Sequence, residues 1–346
     1  MMSLSKQQKE FYRTFSQHGT GDAKVEIQAR DVALLAHIAY LDVYETSADW
    51  FHDDYASLAI NNFYEISPLQ ISHLSELSQE DAFRMLELCG ATDVNNVIFL
   101  YLKNLSELYR RRFKFYNIMK TQAFPLSDPI GPRCLLEYGR CDDNLLFDWI
   151  SWRKLAYDLD NRCAQETGYL FEPILASCLG GEPVSHKFSP VRRIDDNGKP
   201  TMEGRQIDCY IEEAKEIYEL KLRVTIAASG QGRFSEEMTF PYEARMAGLK
   251  PILIVFDPTP SPLLEKLKAK YVEEGGNCAI GDDAWEYLTS HAGREMGRFI
   301  LKYIKPPISK LDEGIKEIPD SIRLLATNNC LVIENNSGQK YEIPRI

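Results

Sequence analysis

Apolar positions in the first 145 residues recur at the three-to-four-residue spacing of a helix face. Val32, Leu35, Ile38 and Ala39 form one such stripe within 25–45. Ser78 stands where a cap would open a helix closing near Cys89 and Gly90, and a long helical pattern runs from residue 94 to about 120. The segment 124–132 holds Pro125, Pro129, Pro132 and Gly131, so it must extend or turn and is the best linker candidate. Beyond residue 145 the pattern changes. A helix over about 145–167 is interrupted at Gly168 and Pro173, resumes to about 179, and stops at Gly180-Gly181. Strands are predicted at about 184–194, 205–212 and 215–225, followed by a glycine-bearing loop over 229–232. A short helix fits 241–247, with Pro241 in its first turn and Gly248 just past its end. Residues 251–256 read as a strand covered on both faces. A helix over 262–274, a strand over 277–280, helices to about 304 and a hairpin of 331–334 with 340–343 complete the pattern. Strands adjacent in sequence can pair as hairpins, whereas a strand reached through a helix runs parallel to its neighbour. The predicted fold class is therefore α/β, a mixed β-sheet flanked by helices, preceded by a helical N-terminal region.

The chain has 346 residues, enough for about two domains, or one core with a large extension. Its 44% apolar and 26% charged residues exclude a disordered or fibrous chain. No apolar run approaches the roughly 20 residues of a membrane span. The first residues lack the apolar stretch of a secretory signal, so a cytoplasmic location is expected. Eight cysteines are scattered without a C-x-x-C pair, which favours reduced, mostly buried thiols over a zinc site. The formal net charge of −11 argues against coating nucleic acid nonspecifically, but leaves room for a local basic cleft. Residues 101–133 carry seven Lys or Arg against two Asp or Glu, with Arg110, Arg111 and Arg112 set among aromatics. That run fits phosphate contact and a plain amphipathic helix equally well.

The candidate chemistry lies in 205–224. Tyr218, Leu220, Leu222 and Val224 alternate with Glu219, Lys221 and Arg223, so a strand sets an acid and two cations in a row on one face. A two-residue turn at Glu213-Ala214 would bring Asp208 opposite Glu219, about 5 Å away on the same face; a slip of one residue would send it to the other face. Two carboxylates so close repel unless a cation intervenes. Mg²⁺ suits them, because it takes hard oxygen ligands and keeps several waters; the carbonyl of Leu220 would add a further oxygen. Lys221 would then face a phosphate or the attacking water, which is the equipment of metal-assisted phosphodiester hydrolysis. The [D/E]-x-K pattern occurs at 22–24, 213–215 and 219–221, and only the last lies in an alternating strand with an aspartate on a preceding partner. The competing reading is an edge hairpin whose charges are merely solvated.

At these residues the chain resembles the PD-(D/E)xK nuclease superfamily and, within it, the type II restriction endonucleases. The order helix, three strands, helix, strand over about 146–257 is similar to that family's core. Asp208 matches the family's first metal-binding aspartate, and Glu219 and Lys221 match its (D/E)xK; Ile207 rather than proline precedes Asp208. The family often adds an acid from the helix before the sheet. Glu172, in Gly168-Tyr-Leu-Phe-Glu172, resembles it more closely than Glu166, the other reading being a helix-terminal glutamate without catalytic part. The stretch 220–233, with Phe240-Pro241 and Ala284-Trp285, looks like the ApaLI-like group.

The resemblance implies a restriction-endonuclease-like core over 146–305, a helical region over 1–145 for DNA binding or dimerisation, and a C-terminal extension over 306–346. It implies Mg²⁺-dependent, sequence-specific hydrolysis of double-stranded DNA leaving 5′-phosphates. A homodimer would cut both strands of a palindrome, and a cognate DNA methyltransferase would protect the host. It implies catalytic roles for Asp208, Glu219, Lys221 and Glu172, with Asp208, Glu219 and Leu220 on the metal. Candidate DNA contacts are Arg192, Arg193, Arg205, Gln206 and Arg223, with Gln231 and Arg233 on the glycine loop. Two rivals stand beside this. One is a repair or recombination nuclease on the same core. The other is an inactive nucleic-acid-binding module, against which the presence of Asp208, Glu219 and Lys221 together argues.

Overall fold

The computed structural model describes residues 3–19, 24–122, 135–195, 197–222, 231–314, 321–327 and 329–345. These group into two compact units, one of Met1–Thr167 with Ile308–Ile346 and one of Gly168–Pro307. The linker candidate at 124–132 lies outside the described residues.

The first unit begins with α1 (Lys6–Ser16), the short ladder β1 (Gln17–His18) and β2 (Val25–Glu26), and α2 (Ala29–Tyr44). It continues through α3 (Asp53–Ala59), α4 (Pro68–Ser72), α5 (Gln79–Leu88), α6 (Val97–Thr121) and the first part of α7 (Asp143–Cys178). Helix α2 is the centre of this unit, because residues 31–39 are all buried. A helix hydrophobic on every side is one surrounded by others, and the stripe read from the sequence understates it. Ser78 caps α5, accepting the amide of Asp81 at 3.1 Å, and Asn96 caps α6.

The basic run on α6 folds inward. Arg110 is fully buried, pairs with Glu107 at 2.7 Å and donates to the Ser106 carbonyl at 3.1 Å. Arg111 donates to Thr167 Oγ1 at 2.5 Å and Arg112 to the Phe63 carbonyl at 2.9 Å. Arg110 also donates to the Gln17 carbonyl of β1, so the run serves structure: Arg111 ties α6 to α7, and Arg110 and Arg112 tie α6 to β1 and to the chain at Phe63.

The second unit takes the last part of α7. It then forms β3 (Glu182–Val184), β4 (Arg192–Ile194), β5 (Pro200–Gly204), β6 (Ile207–Ile211) and β7 (Glu216–Lys221). Next come α8 (Gln231–Met246), β8 (Lys250–Val255), α9 (Pro262–Glu273), β9 (Asn277–Ile280), α10 (Asp282–His291) and α11 (Gly293–Phe299). Five strands form one sheet in the order β3-β6-β7-β8-β9. The pairs β3–β6 and β6–β7 are antiparallel, while β7–β8 and β8–β9 are parallel, so the sheet is mixed as the connections require. Ile217, Leu253 and Val255 pack on Phe240 and Ala244 of α8 and on Leu264, Leu267 and Tyr271 of α9. Toward the other face, Tyr218 meets Tyr287 of α10 through their hydroxyls at 3.3 Å. Gly181 passes so close to β6 that a Cβ there would lie 2.5 Å from Cys209 Sγ, which fixes its identity.

Three elements differ from the sequence reading. The strand over 184–194 is split. A turn bonding Phe188 N to Ser185 O at 3.0 Å and Pro190, which has no N–H, end pairing after β3, and β4 pairs instead with the unforeseen β5. Helix α7 runs through Gly168 and Pro173 without a break. Its buried Leu170, Ile174, Leu175 and Ala176 hold it against the local preference for ending. Helix α8 starts at Gln231 rather than at 241, with Pro241 inside it, anchored by the buried Phe240 and Ala244. The chain then returns to the first unit through α12 (Lys305–Gly314) and a meander of β10 (Ile322–Ala326), β11 (Cys330–Asn335) and β12 (Lys340–Pro344). Leu331 and Ile343 of the meander pack on Met119 of α6.

Candidate active site

The β6–β7 hairpin determines what faces what. Lys215 takes a left-handed φ of 54°, its amide bonds the Glu212 carbonyl at 3.1 Å, and the ladder opens with Ile211 against Glu216. Tyr210 pairs with Ile217 and Cys209 with Tyr218, and the next step of this register sets Asp208 beside Glu219. Asp208 Oδ2 accepts the amide of Leu220 at 2.9 Å, so the carboxylate is bound to the neighbouring strand itself. Glu219 and Lys221 share the strand face of Ile217, toward α8 and α9. Lys221 Nζ lies 3.2 Å from Glu219 Oε1 and 3.2 Å from Glu237 Oε1, the latter from α8.

The electrostatics are those of crowded carboxylates. Burial, then the negative charge of Glu219, then that of Glu172 hold the Asp208 carboxyl well above the usual range, against the pull of the Leu220 amide and Lys221. Burial raises Glu172 as well, with Glu219 adding to it and Lys221 opposing. Burial would lower Lys221, but Glu219 and Glu237 outweigh it and raise its pKa, so the ammonium stays charged. Tyr271, buried on α9, is raised by burial and then by Glu219, Asp208 and Glu237. Glu172 folds over Gly168, where a Cβ would stand 3.0 Å from its Oε1. Glu166 instead pairs with Lys114 of the first unit at 3.3 Å.

A cavity of about 250 Å³ opens here, and Arg193, Gln206, Glu219, Lys221, Glu237 and Tyr271 are among its walls. The other candidate DNA contacts distribute unevenly. Gln206 is exposed. Arg193 bridges Glu203 and Glu236, each at 3.2 Å, and Arg192 donates to the Met202 carbonyl at 3.0 Å. Arg205 is buried; its guanidinium meets Glu243 at 2.5 Å and Thr239 Oγ1 at 2.9 Å, fastening α8 to the strand beside it. Arg223 lies outside the described residues. Gln231 and Arg233 open α8 rather than occupying a loop, and their side chains lie outside the described residues.

Sequence reasoning missed Glu237 and Tyr271. Tyr271 continues the Leu264, Leu267 stripe of α9, a pattern indistinguishable from core. Glu237 falls between the glycine-bearing loop at 229–232 and the helix predicted over 241–247, a stretch with no predicted element.

Among the described residues no three His, Cys, Asp or Glu side chains enclose a common point. The donor set is nonetheless all oxygen; burial raises Asp208 and Glu172 first, the charge of Glu219 adds to both, and a cation would relieve that added repulsion. Two carboxylates with a backbone carbonyl and waters are a normal shell for a hard divalent ion, so the residues fit one.

Fold, site and sequence comparison together define a type II restriction endonuclease, a site-specific deoxyribonuclease. Residues 66–305 match the ApaLI-like restriction endonuclease family, and the chain belongs to that family. It is 44% identical over 259 residues to the Type II restriction enzyme ApaLI of Acetobacter pasteurianus, an overlap covering 73% of this chain and 67% of that relative. No solved structure matches.

Proposed function

We propose that this enzyme carries a PD-(D/E)xK centre and hydrolyses double-stranded DNA at a specific sequence with Mg²⁺, leaving 5′-phosphates. The observation that carries the reading is the single cluster of Asp208, Glu219 and Lys221, with Asp208 bonded to the Leu220 amide at 2.9 Å. Asp208, Glu219 and the Leu220 carbonyl would hold the ion. When bound, the ion supplies Lewis-acid polarisation of the phosphate and eases deprotonation of water. Lys221, kept charged by its acidic neighbours, faces the negative charge that builds on the phosphate oxygens. Glu172, whose carboxyl is raised by burial and then by Glu219, is the fourth acid or base we assign to the centre. Water oxygen bonds to phosphorus, the P–O3′ bond breaks, and the products are a 3′-hydroxyl and a 5′-phosphate.

Arg192, Arg193 and Gln206, with Arg223, Gln231 and Arg233, are proposed as DNA contacts, whereas Arg205 holds α8. Cutting a palindrome needs two copies related by a two-fold axis, so we expect a homodimer. A helical region over 1–145 would serve DNA binding or dimerisation beside a nuclease core over 146–305, with 306–346 as an extension. A cognate methyltransferase would protect the host in the same cytoplasm. No helix among the described residues is long and apolar enough to cross a membrane.

The test is incubation of unmethylated phage DNA with the purified protein in Mg²⁺ or EDTA, alongside Lys221→Ala and Asp208→Ala. Discrete Mg²⁺-dependent bands, absent with both variants, support the reading. A smear lost in the variants would point to a repair nuclease, and intact DNA that still shifts on a gel to an inert binding module.

A further inference from the structure

We infer that Glu237 is a positioning residue for Lys221, holding the ammonium in place while Glu219 is engaged by the metal. The inference rests on the active-site reading above. Glu219 and Glu237 reach the same Nζ at the same distance, 3.2 Å, but from different elements. Glu219 sits two residues away on the lysine's own strand, whereas Glu237 comes from α8. An ammonium has three donors on a flexible four-carbon stem, and its direction is set by the acceptors it meets. A carboxylate that turns to a divalent cation gives up part of its hold on the lysine. Glu237 is then the acceptor left to aim Nζ.

Two further observations separate this from helix docking. Helix α8 is already fastened: Arg205 joins Glu243 and Thr239, the Ile194 amide bonds Glu243 at 3.0 Å, and Phe240 and Ala244 lie in the core. Glu237 is not needed to hold it. Its Oε2 is also buried without a hydrogen-bond partner among the described residues, in the wall of the cavity that Lys221 and Tyr271 share. A buried carboxylate oxygen left unpaired is costly, and such groups mark positions where structure yields to function.

The experiment uses the full chain with phage DNA that the wild type cuts. It compares Glu237→Ala, Glu237→Gln, Lys221→Ala and the Lys221→Ala/Glu237→Ala double variant in single-turnover cleavage. Binding is read by gel shift in Ca²⁺ and folding by thermal melting. Glu237→Ala should lower the cleavage rate roughly 10- to 100-fold, the scale of a misplaced catalytic group, with DNA affinity and Mg²⁺ requirement unchanged. Glu237→Gln, which keeps the oxygen acceptor, should recover most of that loss. In the Lys221→Ala background, Glu237→Ala should cost nothing further, because its partner is gone. Additive losses with a raised Mg²⁺ requirement would overturn the inference in favour of a metal ligand. Equal losses in Ala and Gln that track a lower melting point would overturn it in favour of a structural role, and a wild-type rate in Glu237→Ala would overturn it outright. If Lys221→Ala itself cuts normally, the active-site reading falls and this inference with it; if only Glu237→Ala is silent, that reading stands alone.

Discussion

The two units handle buried charge in opposite ways. In the helical unit the two most buried cations of α6 each meet an anion: Arg110 pairs with Glu107 and Lys114 with Glu166. Asp31, also buried, takes the Tyr109 hydroxyl at 2.7 Å and the Gln28 amide at 2.8 Å. In the nuclease unit, Asp208, Glu219 and Glu172 crowd together, and Lys221 is shared between Glu219 and Glu237. The first arrangement satisfies its members and holds helices together. The second leaves like charges in mutual repulsion, which costs stability and is tolerated where a ligand is to supply the missing charge.

The largest expected effect tests the functional side of that contrast. Lys221→Ala should lower the cleavage rate by about 10²–10³-fold, the usual consequence of removing one group that stabilises developing charge. It also leaves Glu219 and Glu237 without their cation, so the thermal midpoint should fall too, and cleavage read well below that midpoint separates chemistry from folding. On the helical side the effect is on stability. Arg110→Met should cost about 3 kcal/mol of stability by stripping Glu107 of its partner, read as a shift in the denaturant midpoint.

The third prediction sets the units against each other in acid. His37 is fully buried among Trp50, Phe51 and Tyr55, and burial lowers its pKa to about 4. Below its ordinary value of 6.5 the unfolded chain binds a proton that the folded one refuses, so stability falls as pH drops from 6.5 toward 4, by roughly 3 kcal/mol in all. Asp208 has the opposite sign. Its raised folded pKa means the folded state binds a proton that the unfolded chain, with a carboxyl near 3.8, has released, so stability falls as pH rises from 3.8 up through the raised folded value. Hydrogen exchange at pH 5 and pH 7.5 should show the helical unit loosening in acid and the metal-free nuclease unit tightening. His37→Phe should flatten the first trend, and Asp208→Asn the second. The smallest effect is a cap: Ser78→Ala should cost about 1 kcal/mol through α5 alone, visible as a small shift in urea midpoint with cleavage unchanged.

The contrast also explains what the sequence made legible. Asp208, Glu219 and Lys221 could be found because strand periodicity and a tight turn convert spacing into geometry within a dozen residues. The strand predicted at 251–256, found at Lys250–Val255, is legible because burial on both faces demands an unbroken apolar run. Glu237 was hidden because its position depends on where α8 begins, and that is decided by the packing of Phe240 and Ala244 rather than by Gly230 and Pro241. Glu172 was reachable only through a resemblance, since the sequence gives no local sign that α7 survives Pro173. The inward turn of Arg110, Arg111 and Arg112 depends on carbonyl and hydroxyl partners far along the chain, the Gln17 carbonyl, Thr167 and the Phe63 carbonyl, that no spacing rule supplies.

The turn from Glu212 to Lys215 carries one more consequence, an evolutionary one. All four residues are exposed, and composition there is free to drift apart from the left-handed demand at Lys215. Length is not. Inserting or deleting a single codon re-phases every residue upstream on β6 and turns Asp208 toward the wrong layer of the protein while leaving the hydrophobic content intact. Selection on this enzyme should therefore tolerate substitutions in that turn and purge indels, so that a lineage could lose cleavage in one step without losing a single acidic residue.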